Sequence, residues 1–196
     1  MQPQTFVFIG RSGCGKGTQA ELLEENLKKN YPESPIFYLE TGQGFRDFIT
    51  KDSYTSKLSE KMYKMAEAQP SFLAIWMWTH MIVEKFKGNE HLFIDGTPRG
   101  YSEALVLTSA MKFYNRRATV IYINVSREWS EERLMNRGRM DDLSKEHVKK
   151  RLDWFDKDIM PAVEYFRYSP DYKFLDVNGE RPIIEIHQEI LQRLAA

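Results

Sequence analysis

One cysteine, Cys14, is all that 196 residues contain, and that excludes an internal disulfide framework and a cysteine-based zinc site. Excess charge of either sign is also missing. The 28 Lys and Arg balance 28 Asp and Glu, so the formal net charge is zero. Without a global basic field there is no argument for a nucleic-acid partner, and any anion site has to come from local clustering. No apolar run approaches the roughly 20 residues that cross a bilayer. The first apolar strand begins within five residues of Met1, which leaves no basic-then-apolar signal segment. These absences lead us to expect a reducing cytoplasmic setting and no membrane partner. Neither an internal repeat nor a low-complexity linker interrupts the chain, whose length suits one domain with room for small insertions.

Against that background one stretch stands out: Phe6-Val7-Phe8-Ile9 followed by Gly10-Arg11-Ser12-Gly13-Cys14-Gly15-Lys16-Gly17-Thr18-Gln19. A short apolar strand runs into clustered glycines, a lysine and a threonine. Ala20, Leu23 and Leu27 then recur at helical spacing, with glutamates on the other face. Glycines let the backbone turn sharply and bring N–H groups against phosphate oxygens, while the helix behind them aims the positive end of its dipole at the same anion. Lys16 supplies a mobile charge and Thr18 a hydroxyl that can reach a magnesium shell. The general pattern has Ser or Thr directly after Lys, whereas here Gly17 intervenes. The competing reading is a glycine-rich turn that merely joins a buried strand to a helix. The flanking strand and helix favour nucleotide phosphate binding.

Four further β-rich runs, Pro35 to Thr41, His91 to Asp95, Ala118 to Val125 and Tyr172 to Val177, are separated by segments too long for hairpins. With Phe6 to Ile9 they predict a five-stranded parallel sheet covered by helices on both faces. The segment from Gly42 to Asn89 reads as two helices. The second begins at Pro70 and is almost wholly apolar, so Trp76 and Trp78 are expected in the core. A later helix carries Val148, Leu152, Phe155, Ile159 and Val163 on one face, and Pro161 should kink it or end its first half.

Asp95 closes the apolar run Leu92-Phe93-Ile94, at the end of a strand where ligands sit in open α/β sheets, and could hold magnesium through water. An Asp-Gly turn is the plainer alternative. Arginines follow in the places left for loops and a lid: Arg46, Arg99, Arg133, Arg137, Arg139 and Arg151. The planar guanidinium fork matches phosphate oxygens, and phosphoryl transfer is catalysed by such positioning and charge neutralisation.

Four landmarks occur in one order: Gly10-x-x-Gly13-x-Gly15-Lys16-Gly17-Thr18-Gln19, Thr41-Gly42-x-x-x-Arg46, Asp95-Gly96-x-Pro98-Arg99, and Arg133-x-x-x-Arg137-Gly138-Arg139-Met140-Asp141-Asp142 leading to Lys150-Arg151-Leu152. In this the chain resembles the nucleoside monophosphate kinases, most closely the short-lid adenylate kinases, over almost its whole length. The resemblance implies a P-loop NTPase fold with a core of residues 1–42, 72–136 and 143–196, a helical monophosphate-binding insert at 43–71 and a very short lid at 137–142. It implies transfer of the γ-phosphoryl group of Mg-ATP to a nucleoside monophosphate, AMP first, by a monomer. The backbone of Gly13, Cys14, Gly15, Gly17 and Thr18, with Lys16, would cradle ATP, with Arg133 and Gly179 at its base. Thr41, Gly42, Arg46, Gly96, Arg99 and Glu103 would take the monophosphate. Arg137, Arg139 and Arg151, together with Lys16 and Arg99, would serve the transfer, and Thr18 and Asp95 would place Mg2+. No zinc is implied.

Three positions depart from the family pattern. Glu103 stands where adenylate kinases usually carry Gln; a carboxylate can only accept hydrogen bonds, which suits guanine's adjacent donors better than adenine. Gln43 replaces a common acidic residue, and Met65-Ala66-Glu67-Ala68-Gln69-Pro70 only loosely matches the base-contact segment. GMP or a pyrimidine monophosphate therefore stay open as acceptors, and a non-catalytic nucleotide sensor is the rival outside the enzymes. Third, a single residue separates Arg137 from Arg139. A lid this short should exclude water incompletely, so measurable ATP hydrolysis without acceptor is expected. An acceptor-free rate negligible beside transfer would refute this.

Overall fold

The computed structural model describes residues 2–137 and 144–195, with the side chain of Arg137 excepted. Five strands form one parallel sheet in the order β2-β3-β1-β4-β5: β1 Thr5–Gly10, β2 Ile36–Glu40, β3 His91–Asp95, β4 Ala118–Asn124 and β5 Lys173–Asn178. The five-stranded parallel expectation holds. β1 lies at the centre with all six residues buried, Phe6 pairing with Phe93 on one side and Thr119 on the other.

Alternation along β1 divides the core in two. Phe6 and Phe8 pack with Ala20 and Leu23 of helix α1 (Lys16–Asn30) and Ile186 and Ile190 of α9 (Ile183–Ala195). Val7 and Ile9 face the other way, against Trp78 of α4 (Ser71–Lys85), Leu107 of α5 (Tyr101–Phe113) and Phe166 of α8 (Met160–Tyr168). Period-two side chains on a doubly covered strand require this, and it explains why the run is apolar without interruption. The helices after the adjacent strands β1 and β3 thus leave toward opposite faces. That divergence opens a crevice at the carboxyl ends of the strands, the topological switch point.

Between β2 and β3 the chain forms three helices where two were expected: α2 Thr41–Phe48, α3 Tyr54–Lys64 and α4. Helix α2 starts directly after β2, with Phe45 and Phe48 packed on Leu73, Ala74 and Met77 of α4. Of the two tryptophans assigned to the core, Trp78 is fully buried but Trp76 is 44% exposed. Two helical positions cannot share a face when they lie two residues apart. Trp76 instead stacks on His80 and leans on Phe48. Together with Phe72 and Val83 it makes an exposed apolar stripe along α4 that the sequence did not announce.

Pro161 acts as expected. Helix α7 (Lys145–Trp154) passes into a π-turn at Phe155–Ile159 before α8 begins, and the Met160 N–H reaches back five residues to the Phe155 carbonyl. Proline has no N–H to continue the α-helical ladder, so the turn widens ahead of it.

His91, fully buried at the start of β3, accepts a hydrogen bond on Nδ1 from the Gln4 N–H at 3.1 Å. Burial, with the Arg116 charge nearby, holds its pKa below the ordinary histidine value. A histidine kept neutral by folding charges more readily in the unfolded chain, so its contribution to stability is lost as pH falls through the unfolded value near 6.5. We expect urea stability to drop between pH 7.5 and 5.5, and His91→Asn, which keeps an acceptor for Gln4, to flatten that slope. Equal slopes in the two proteins would refute the assignment.

Candidate active site

The loop after β1 turns through left-handed glycines, Gly13 at φ +83° and Gly15 at φ +95°. Gly15 caps α1 without a side-chain hydrogen bond, so the first-turn N–H groups of the helix face the crevice without a capping partner. Lys16 donates from Nζ to the carbonyls of Gly10 at 2.8 Å and Arg11 at 2.9 Å, holding its ammonium over the loop. Cys14 is buried beneath, within the cluster of Phe8 and Ile123. The loop residues from Ser12 to Thr18 line a cavity of about 750 Å³ at the carboxyl edge of the sheet.

Every other strand end reaches that cavity. From β2 come Tyr38 and Glu40, with Gly42 and Arg46 of α2 directly behind; from the end of β3 and the turn after it come Asp95, Gly96 and Arg99. Helix α6 (Arg127–Arg137) brings Arg133, α7 brings Arg151, and the loop after β5 brings Gly179. Of these points Gly179 requires glycine, whereas Gly42 has room for a methyl group. A methyl group on Gly42 would sit 3.4 Å from Arg46 Nη1 and 3.9 Å from Arg99 Nη2, so both guanidinium groups close on one small patch. On Gly179 it would lie 2.6 Å from Ile123 Cγ2 and 2.8 Å from Val125 Cγ1, a clash that glycine avoids where this loop lies against the end of β4.

The arginines are held by contacts within the protein. Arg46 donates to Glu40 Oε1 at 2.7 Å and, through Nε, to Gln43 Oε1 at 2.9 Å. Arg99 donates from Nε to the Gly96 carbonyl at 2.6 Å and lies over the Trp154 ring. Arg133 stacks on Trp129, 4.4 Å from the ring centre. Arg151 Nη2 donates to Ser12 Oγ at 3.1 Å.

Asp95 is the carboxylate that the end of β3 presents to the cavity. Burial pushes its pKa up, Glu40 adds to the effect, and the Lys16 and Arg99 charges oppose it. Tyr38 donates to its Oδ2 at 3.4 Å, and burial with the Asp95 and Glu40 carboxylates keeps the phenol protonated far above its usual range. Among the described residues no group of three or more His, Cys, Asp or Glu could hold a metal ion. One half-buried carboxylate faces the start of α1, 4.0 Å from where a Gly17 methyl would project, and an oxygen donor there fits a hard divalent cation held through water.

Of the residues singled out from the sequence, the cavity brings together Gly13, Gly15, Lys16, Gly17, Thr18, Gly42, Arg46, Asp95, Gly96, Arg99, Arg133, Arg151 and Gly179, and its lining includes Cys14. Thr41 is buried beside it. Glu103 is not in the lining. It is 5% exposed and accepts from Thr97 Oγ1 at 2.7 Å. Burial raises its pKa, while Thr97, the Arg99 charge and the Arg99 backbone N–H favour its ionised form. The Trp78 indole N–H has no partner in hydrogen-bond geometry, yet it is close enough to favour that charge too. Arg139 and the other positions 138–142 of the expected lid lie outside the described residues, and Arg137 ends α6. Tyr38, Glu40 and Trp129 were missed. Tyr38 and Glu40 sit on one face at the end of β2, and Trp129 is one helical turn before Arg133, spacings that could have flagged them.

The family model for adenylate kinase matches residues 8–170. An adenylate kinase of Prochlorococcus marinus (strain AS9601) is 29% identical over 97% of this chain and 98% of its own. One from Flavobacterium psychrophilum is 29% identical over 97% and 95%, and one from Oenococcus oeni is 27% identical over 92% and 93%. A glycine loop at a helix N-terminus, cations converging from every strand end, and a match that spans most of the chain lead to one conclusion: this phosphotransferase belongs to the adenylate kinase family.

Proposed function

We propose that the chain transfers the γ-phosphoryl group of Mg-ATP to AMP, giving two ADP, in one in-line step without a covalent intermediate. The observation that carries this reading is the meeting in one cavity of the phosphate loop, Lys16 and Asp95 with Arg46, Arg99, Arg133 and Arg151. Binding alone does not need so many charges aimed at one place; neutralising the oxygens of a transferring phosphoryl group does.

The loop amides and Lys16 take the donor phosphates, with the donor base between Arg133 and the Gly179 loop. Arg46 and Arg99, paired across Gly42, take the acceptor phosphate beside Thr41 and Gly96. Arg151, with Arg137 and Arg139 of the 137–142 lid, neutralises the transferring group. Magnesium brought by ATP would be held by Thr18 and, through water, Asp95, and supplies further charge neutralisation of the phosphates. The expected surroundings are cytoplasmic, which suits a free thiol at Cys14, and the working form is a monomer.

AMP is preferred as acceptor because the one residue that argued for guanine, Glu103, is engaged by Thr97 and Arg99. Its role in this reading is to hold the Gly96–Arg99 turn, not to read a base.

Two measurements test these statements. Initial rates from Mg-ATP to AMP, GMP, CMP and UMP should put AMP first, with Lys16→Ala at least about a hundredfold slower. Transfer to none of them would leave a nucleotide sensor, and GMP or a pyrimidine ahead would overturn the acceptor. Glu103→Gln should leave the AMP-to-GMP preference within about threefold of wild type while raising KM for AMP, because Arg99 loosens. A tenfold change in preference would mean that Glu103 reads the base after all.

A further inference from the structure

Arg11 is an arginine inside the phosphate loop itself, yet it does not line the cavity. Its guanidinium turns outward over the Phe155 ring, 4.6 Å from the centre, donates from Nε to the Val125 carbonyl at 3.2 Å, and pairs through Nη1 with Oδ1 of Asp156. The other oxygen of that carboxylate is also engaged: Arg127 Nη1 donates to Asp156 Oδ2 at 2.8 Å, and Arg127 Nη2 to Asp153 Oδ1 at 2.6 Å. One carboxylate thus bridges the phosphate loop to the first residue of α6, the helix that carries Arg133.

Asp156 sits in the π-turn that Pro161 imposes between α7 and α8. The turn widens the helix and rotates the residues after Trp154 relative to a continuous α-helix. Five residues earlier on the same rod, Arg151 reaches Ser12, the loop residue next to Arg11. The Ser12 carbonyl in turn accepts from Ser130 of α6 at 2.5 Å. Two neighbouring loop residues are therefore fastened to the α7 rod, and both fastenings lead on to α6.

We propose that Asp156 is a positioning residue for phosphoryl transfer: by bridging Arg11 and Arg127 it fixes the α7 rod against the phosphate loop, so that Arg151 stands over the reacting phosphates. This rests on the role given to Arg151 above. The bridge is half-exposed, with Arg11 and Asp156 side chains 15% and 39% accessible, so its contribution to stability as a surface ion pair is small. Its effect is on geometry, where a displacement of about 1 Å can cost up to a hundredfold in rate.

The test compares wild type, Asp156→Asn, Arg11→Gln and the double variant, with kinetics per folded molecule well below the lowest thermal transition. Asp156→Asn should lower kcat about tenfold with KM for AMP within about twofold, the signature of an interaction made in the transition state. Arg11→Gln should do the same, and the double variant should be no slower than the slower single one, because both break one link. Arg11→Lys should recover part of the loss. Asp171→Asn, which breaks the exposed Lys112–Asp171 pair, should leave kcat unchanged. Wild-type kcat in Asp156→Asn, or single losses that multiply in the double variant, would overturn the proposal. Hydrogen exchange without substrate separates it from the site reading. Loop amides at 10–16 should exchange faster in Asp156→Asn than in wild type, and unchanged exchange would overturn the positioning role whether or not the enzyme transfers phosphate.

Discussion

The unpaired N–H groups in the first turn of α1 govern the carboxyl edge of this molecule. Left-handed glycines at 13 and 15 bring the chain from β1 into the helix with no side-chain cap, and such a helix end is a standing site for an anion. The groups that arrive from the other strands answer that polarity. Arg46 and Arg99 close on Gly42, Arg133 lies on Trp129, and Arg151 is tied to Ser12. Net charge is zero over the whole chain, so this concentration of cations is a local product of topology rather than of composition.

Cations packed together need partners, and the structure supplies them from within. Glu40 and Gln43 hold Arg46, Gly96 holds Arg99, and the loop carbonyls hold Lys16. Asp95 is kept among Lys16, Arg99 and Tyr38 even though burial disfavours its charge. These contacts restrict the long side chains, so the ordering entropy is borne by the fold itself. The outward-turned Arg11 belongs to the same arrangement: its charge is directed to Asp156 rather than added to the cavity.

How much was legible depends on which signals are local. The five strands and the kink at Pro161 could be read because alternation, apolar runs and the missing proline N–H act over a few residues. The loop, Asp95 and the arginines could be read from residue type and order. Trp76 could not: its neighbours Phe72 and Val83 make the segment look uniformly buried, and only the packing of α2 on α4 decides which face is covered. The third helix of the 41–85 segment was missed because α2 begins directly at the strand end, without a loop to announce it. Glu103 illustrates the opposite case: position in a motif suggested a base contact, and the fold buries the side chain against the Thr97 hydroxyl, a partner that the motif did not announce.

The sequence by itself determined the sheet, the phosphate loop and the set of charged residues available for catalysis, because these depend on periodicity, on glycine's conformational freedom and on side-chain chemistry. Only the tertiary structure decided which of those charges share a cavity. Strand order and the divergence of α1 and α5 to opposite faces bring residues from far-separated positions to one crevice, and the links that brace it, Arg151 to Ser12 and Asp156 to both Arg11 and Arg127, exist only in the folded chain. Distance in space, on which electrostatic and hydrogen-bonding energies depend, is not written in distance along the chain.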